Sequence, residues 1–109
     1  MRSGEDFRHT IRRGARGAQP TLVTHVLLRS GHPGADGHTS VGFVVSKAVG
    51  SAVERNRVKR QLRHLMRDRV SSLPAGSRVV VRALPAAQGA DSSTLAEHLD
   101  AALSRAGAR

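Results

Sequence analysis

Cysteine, tryptophan and tyrosine are missing from the 109 residues, and Phe7 and Phe43 are the only aromatics. Without cysteine there can be no disulfide and no thiolate metal site, which fits a reducing compartment. With two aromatics the core has to be assembled from Val, Leu, Ile and Ala, and the aromatic base-stacking platform of an RRM is excluded. Acids are scarce too: eight stand against 18 Lys and Arg, a net charge of +10. No apolar run approaches the ~18 residues of a membrane span, and no signal-peptide core follows Met1, so the expected location is cytoplasmic. A chain of this length makes one domain, residues 1–109, around a single modest core.

Catalytic signatures are equally absent. The six histidines form no HExxH and no pair at i, i+4, and no carboxylate cluster accompanies them, so no metal ligand is assigned. The Gly-x-Ser-x-Gly elbow, the Walker loop and Gly-x-Gly-x-x-Gly do not occur; Gly31, Gly34 and Gly37 precede a strand instead of joining a strand to a helix. The acids are scattered, with no pair placed for general acid-base work, so no catalytic residue is assigned either. If this chain takes part in catalysis, the reacting groups belong to something else.

What the sequence does contain is concentrated between Gly42 and Arg69. A β-branched run (Val44, Val45) passes through Ser46-Lys47-Ala48-Val49-Gly50 to Ser51-Ala52-Val53-Glu54, a Ser-x-x-Glu capping box that predicts a helix starting near Ala52. Val58, Leu62, Leu65, Met66 and Val70 then recur at steps of three and four, the spacing of one helical face. At about 100° per residue, Asn56, Arg60, Arg63 and Arg67 form a second stripe, with Lys59 and Arg57 on its flanks. From Lys47 to Arg69 eight Lys or Arg face two acids, which places six of the ten net charges in this fifth of the chain. Solvated helix faces normally mix signs at i, i+4. This one hardly does, and the matching counter-charge is phosphate, which the planar donor fork of Arg fits. Membrane binding would need bulky apolar anchors beside the cations; here the apolar residues lie on the other side, so nucleic acid is the expected partner.

In chain order, Ser3-Gly4-Glu5-Asp6 opens and Arg12-Arg13-Gly14 closes a short helix over residues 4–13, with Phe7 and Ile11 on one side. Residues 15–20 read as a linker. Residues 21–28 (TLVTHVLL) read as a strand carrying His25, residues 32–38 as a turn or hairpin loop, and residues 39–45 as a second strand antiparallel to the first. After the basic helix, residues 78–83 (RVVVRA) are continuously apolar at their centre, the mark of a strand covered on both sides. Strand, helix and strand in that order predict that this strand lies parallel to residues 39–45. Leu95, Leu99, Ala102, Leu103 and Ala106 mark a last amphipathic helix, capped among residues 91–94, with Thr94-x-x-Glu97 a candidate box. Without basic excess it reads as scaffold. The fold class is α+β: a small mixed sheet, with room for one further short strand, and helices packed on it as a two-layer α-β sandwich.

The block Arg55-Asn56-Arg57-Val58-Lys59-Arg60-x-x-Arg63, with Gly42-Phe43-Val44-Val45-Ser46-Lys47 and Gly50-Ser51-Ala52-Val53 before it, closely resembles the protein component of bacterial ribonuclease P. Glu5-Asp6-Phe7, Arg12-Arg13-Gly14, the strand at Leu22, Val79-Val80-Val81-Arg82 with Pro85 and the Leu-rich last helix agree in order, so the resemblance covers nearly the whole chain. It implies a ribosomal protein S5 domain 2-like fold whose strand-helix-strand crossover is left-handed, an exception to the usual right-handed rule. It also implies an accessory subunit of an endoribonuclease. A catalytic RNA would carry out the Mg²⁺-dependent removal of the 5′ leader from precursor tRNA, and no protein oligomer would be required. Carried over by position, the RNA contacts are Lys47, Arg55, Asn56, Arg57, Lys59, Arg60, Arg63 and Arg67, and the leader cleft includes Phe7, Ile11 and His25. Relatives often have aromatics where Ile11 and His25 stand, so base stacking is expected to be weaker here. The alternatives are a structural RNA-binding protein of ribosomal type and, more remotely, a self-sufficient nuclease.

Overall fold

The computed structural model describes residues 4–28 and 39–108. The first helix, α1 (Gly4–Arg13), leads into β1 (Ala15–Ala18) and β2 (Leu22–Leu27). Then come β3 (Ser40–Val44), α2 (Ala52–Arg67), β4 (Arg78–Ala83) and α3 (Ser92–Arg105), with short 3₁₀ turns at Lys47–Val49, Val70–Ser72 and Pro85–Ala87. The Ser3 cap and the turn expected at residues 32–38 lie outside the described residues.

Four strands form one mixed sheet in the order β1-β2-β4-β3, with β1 and β2 antiparallel, β2 and β4 antiparallel, and β3 and β4 parallel. The parallel pairing across the α2 crossover is the one expected. The hairpin expected between the second and third strands is not formed: β3 runs opposite to β2, but β4 lies between them. The reason is visible in β4, whose Val79, Val80 and Val81 are all fully buried. A strand apolar on both faces belongs in the middle of a sheet with cover on each side, so it displaces β3 to the edge.

The expected linker over residues 15–20 is the second correction, because its first part is the edge strand β1. Its sequence, Ala-Arg-Gly-Ala, lacks the β-branched residues that mark strands. The pairing of Gly17 with Thr24 carries it along β2, and a Cβ at Gly17 would collide with the backbone of Ala102 in α3. Small residues are thus required by the helix that lies against this strand, at the expense of β propensity.

On one face of the sheet Leu22, Val26, Val79, Val81 and Ala83 pack against Val58, Leu62 and Met66 of α2 and against Leu95, Leu99, Ala102 and Leu103 of α3. This is the main core. The alternate residues face the other way, and there α1 lies over β2 and β4. The ring of Phe7 rests where a side chain on Gly42 of β3 would be. Thr10 of α1 is fully buried.

Both long helices start as their sequences demand. Ser51 Oγ accepts from the Glu54 N–H at 3.3 Å while the Ser51 N–H donates to Glu54 Oε1 at 3.1 Å, closing the capping box of α2. In α3 the cap is Asp91, which accepts from the Thr94 N–H at 2.8 Å and from Ser93 Oγ at 3.1 Å, so Thr94 serves as donor instead of cap.

Candidate nucleic-acid interface

With Val58, Leu62 and Met66 against the sheet, the periodicity of α2 turns Asn56, Arg60, Arg63 and Arg67 to solvent, and all four are exposed. Arg57 is exposed on one flank and lines a hollow of about 280 Å³ with Glu54, Val58, Gln61, Gln88 and Gly89. Lys59 and Arg55 are half-buried on the other flank, where they line a hollow of about 180 Å³ with Val45, Ala52 and Asn56. Lys47 is exposed on the 3₁₀ turn that packs against the start of α2. The eight residues expected to contact RNA are therefore on or beside one helix, six fully exposed and two at its margin.

Among the described residues none of these cations forms an ion pair. The contrast is Arg69, just past the helix, whose Nε and Nη2 donate to the two carboxylate oxygens of Asp100 at 2.7 and 3.2 Å, and whose Nη1 donates to the Leu65 carbonyl at 2.9 Å. The hydrogen bond to Asp100 holds the Arg69 pKa above its ordinary value despite partial burial. Glu54, the one acid inside α2, is occupied by the cap, and the Ser51 hydrogen bonds push its pKa down. Arg55 differs again: its Nε is buried and has no hydrogen-bond partner among the described residues. A like-charged surface of this kind carries a positive field that attracts anions.

The three residues expected in the leader cleft lie on the opposite face of the sheet from α2. Phe7 and Ile11 are half-buried on α1, one helical turn apart, and His25 is only 4% exposed on β2 beneath it. Neither ring nitrogen of His25 has a hydrogen-bond partner among the described residues. Burial lowers its pKa first, and the charges of Arg82 and Arg16 lower it further, so the ring is neutral at pH 7. Those two arginines were not singled out from the sequence. Arg82 could have been found from its alternation with Val81 inside a strand, but Arg16 sits on the strand that composition concealed. Among the described residues no three His, Cys, Asp or Glu come together as a metal site.

The ribonuclease P family model matches residues 1–107. The chain belongs to the ribonuclease P protein family. It is 58% identical to the ribonuclease P protein component of Streptomyces avermitilis over 96% of this chain and 89% of that one. With the component of a Nocardioides species it shares 54% identity over 99% of this chain and 91% of the other. Among solved structures, a Staphylococcus aureus ribonuclease P protein mutant with defective mRNA degradation activity superposes with a TM-score of 0.86 at 25% identity, covering all of this chain and 88% of that one. As a ribonuclease P protein component, the chain is a subunit of an endoribonuclease of tRNA processing and works with the ribonuclease P RNA. No helix among the described residues is long and apolar enough to cross a membrane.

Proposed function

We propose that the exposed face of α2 docks this subunit on the catalytic RNA, and that the surface formed by α1 and the sheet holds the 5′ leader of precursor tRNA. The observation that carries the first half is the exposed row Arg60, Arg63 and Arg67, unpaired among the described residues, with Asn56 beside it, on a helix whose back is locked into the core. Arginines mounted on a helix that is already formed need no backbone ordering to meet phosphates, and they release condensed counter-ions as they do so. Lys47, Arg55, Arg57 and Lys59 extend the footprint. The second half is supported by Phe7 and Ile11, which stand half-buried on α1, with the Phe7 ring over Gly42 of β3.

In this reading hydrolysis of the leader phosphodiester takes place on the RNA, which uses Mg²⁺, and the protein contributes no reacting group. Its part is electrostatic and positional: it neutralises packed RNA phosphates and lengthens the contact with a substrate that still carries its leader. The cytoplasm is where such a particle would meet nascent tRNA.

Reconstitution of the full chain with catalytic RNA and precursor tRNA tests this. The protein is expected to restore cleavage at low Mg²⁺, and Arg60→Ala to weaken RNA affinity and lower the slope of log affinity against log salt by about one. No effect of the protein on cleavage at low Mg²⁺ would overturn the assignment; an unchanged salt slope would remove Arg60 from the interface.

A further inference from the structure

A single row of residues crosses the sheet beneath α1. The register sets Arg16 opposite His25, His25 opposite Val80 and Val80 opposite Gly42, so one position from each strand lies on the same face in line. At the β3 end the row is topped by the Phe7 ring on Gly42. At the β1 end it finishes in Arg16, exposed on the edge strand. Arg82 is two residues along β4 from Val80, hence on the same face and diagonal to His25.

The charges in this row are unbalanced. Arg16 and Arg82 both act on the His25 ring, which is buried and, among the described residues, without a hydrogen-bond partner on either nitrogen. The Nε of Arg82 is also buried without a partner among the described residues. Neither arginine pairs with a carboxylate among the described residues. Two cations beside an unsatisfied ring, with no carboxylate between them among the described residues, suit one anion at the exposed Arg16 end, and a phosphodiester presents the acceptor oxygens that two guanidinium forks match.

We infer that Arg16 and Arg82 form a phosphodiester clamp for single-stranded RNA, lying across His25 at the end of the row opposite Phe7. The inference rests on the leader reading of this face and deepens it. Three strand spacings separate the two ends, roughly 14 Å, so a leader touching both runs across the strands. Phosphate contacts carry no sequence information. A cleft with Ile11 and His25 in place of aromatics thus holds leaders by charge more than by stacking, without a base requirement at the clamp.

The test uses holoenzyme reconstituted from the full chain and catalytic RNA, with affinities for precursor and mature tRNA measured over a salt series. Arg16→Ala and Arg82→Gln are each expected to weaken precursor binding on the order of tenfold, to reduce the salt slope by about 0.7, as for one contact to a single strand, and to leave mature tRNA binding unchanged. Arg16→Lys should keep most of the slope while losing part of the affinity, because the charge remains and the fork does not. Arg16 is exposed at the sheet edge, so its variants carry the test if Arg82→Gln proves unstable. An unchanged slope, equal losses with mature tRNA, or weakened binding of the catalytic RNA itself would overturn the clamp. Phe7→Ala in the same assay separates the two levels. If it alone gives a precursor-selective loss, the leader reading stands and the clamp falls; if no variant does, both fall.

Discussion

The helices α2 and α3 lie on the same face of the sheet and are built alike underneath. Val58, Leu62 and Met66 seat one; Leu95, Leu99, Ala102 and Leu103 seat the other. Outwardly they diverge. The exposed side of α2 is a row of cations unpaired among the described residues, whereas α3 carries Glu97, Asp100 and Arg105 in mixed sign and gives Asp100 to Arg69. Where this fold uses a cation for its own cohesion, as at Arg69, it provides a carboxylate at 2.7 Å. The cations of Arg60, Arg63 and Arg67 have no such partner among the described residues, so apart from the favourable place of Arg67 in the last helical turn they mainly repel one another. The residues that seat α2 and the proposed RNA contacts thus lie on opposite sides of one helix.

That separation can be broken from either side. The largest effect is expected beneath the helices: Leu62→Ala and Leu99→Ala, both at fully buried positions, should each cost about 2 to 5 kcal/mol in chemical denaturation. A small loss at either site would show that the helix is not seated as described. Next comes the exposed side. The double variant Arg60→Ala, Arg63→Ala should lower affinity for the catalytic RNA on the order of a hundredfold with the thermal midpoint unchanged or raised. A lowered midpoint would mean that these cations serve the fold after all.

Arg69→Met should do the converse, lowering stability by about 1 kcal/mol or less, because Asp100 is 43% exposed and solvent screens the pair, while the salt slope of RNA binding stays as it was. A changed slope would move Arg69 to the RNA side of the comparison. The smallest and most symmetrical effect is at the caps. Ser51 lowers the pKa of Glu54 below its ordinary value of 4.5, and Thr94 lowers that of Asp91 below 3.8. A depressed carboxylate stabilises the fold fully above its unfolded pKa and loses that contribution as pH falls through the folded value. Acid titration of the wild type should therefore show extra loss of helicity below about pH 4.5, reduced in Glu54→Gln and in Asp91→Asn. Curves that coincide with wild type would remove the caps from the account.

Much of this comparison was legible beforehand because it is local. The capping box at Ser51 and Glu54, the three-and-four spacing of Val58, Leu62 and Met66, and the opposed stripe of Asn56, Arg60, Arg63 and Arg67 all follow from helical geometry within one segment. The run Val79-Val80-Val81 likewise revealed a strand buried on both faces. What escaped notice was non-local: Gly17 reads as a linker residue until the Ala102 backbone is seen against it.

The amino-acid order by itself determined which segments are helical, which face of each is apolar, and that the charge of α2 could not be neutralised from within its own helix. The parallel pairing of β3 with β4 was legible too, but only the tertiary structure decided which strand stands beside β2, because the strands compete for the two interior positions and β4 takes the one that the hairpin partner would have had. The same assembly brought Arg82, from a strand far along the chain, to the sheet face that carries Arg16 and His25. Side-chain alternation is a property of a strand, but a row across a sheet is a property of its register, and register exists only once the strands have met.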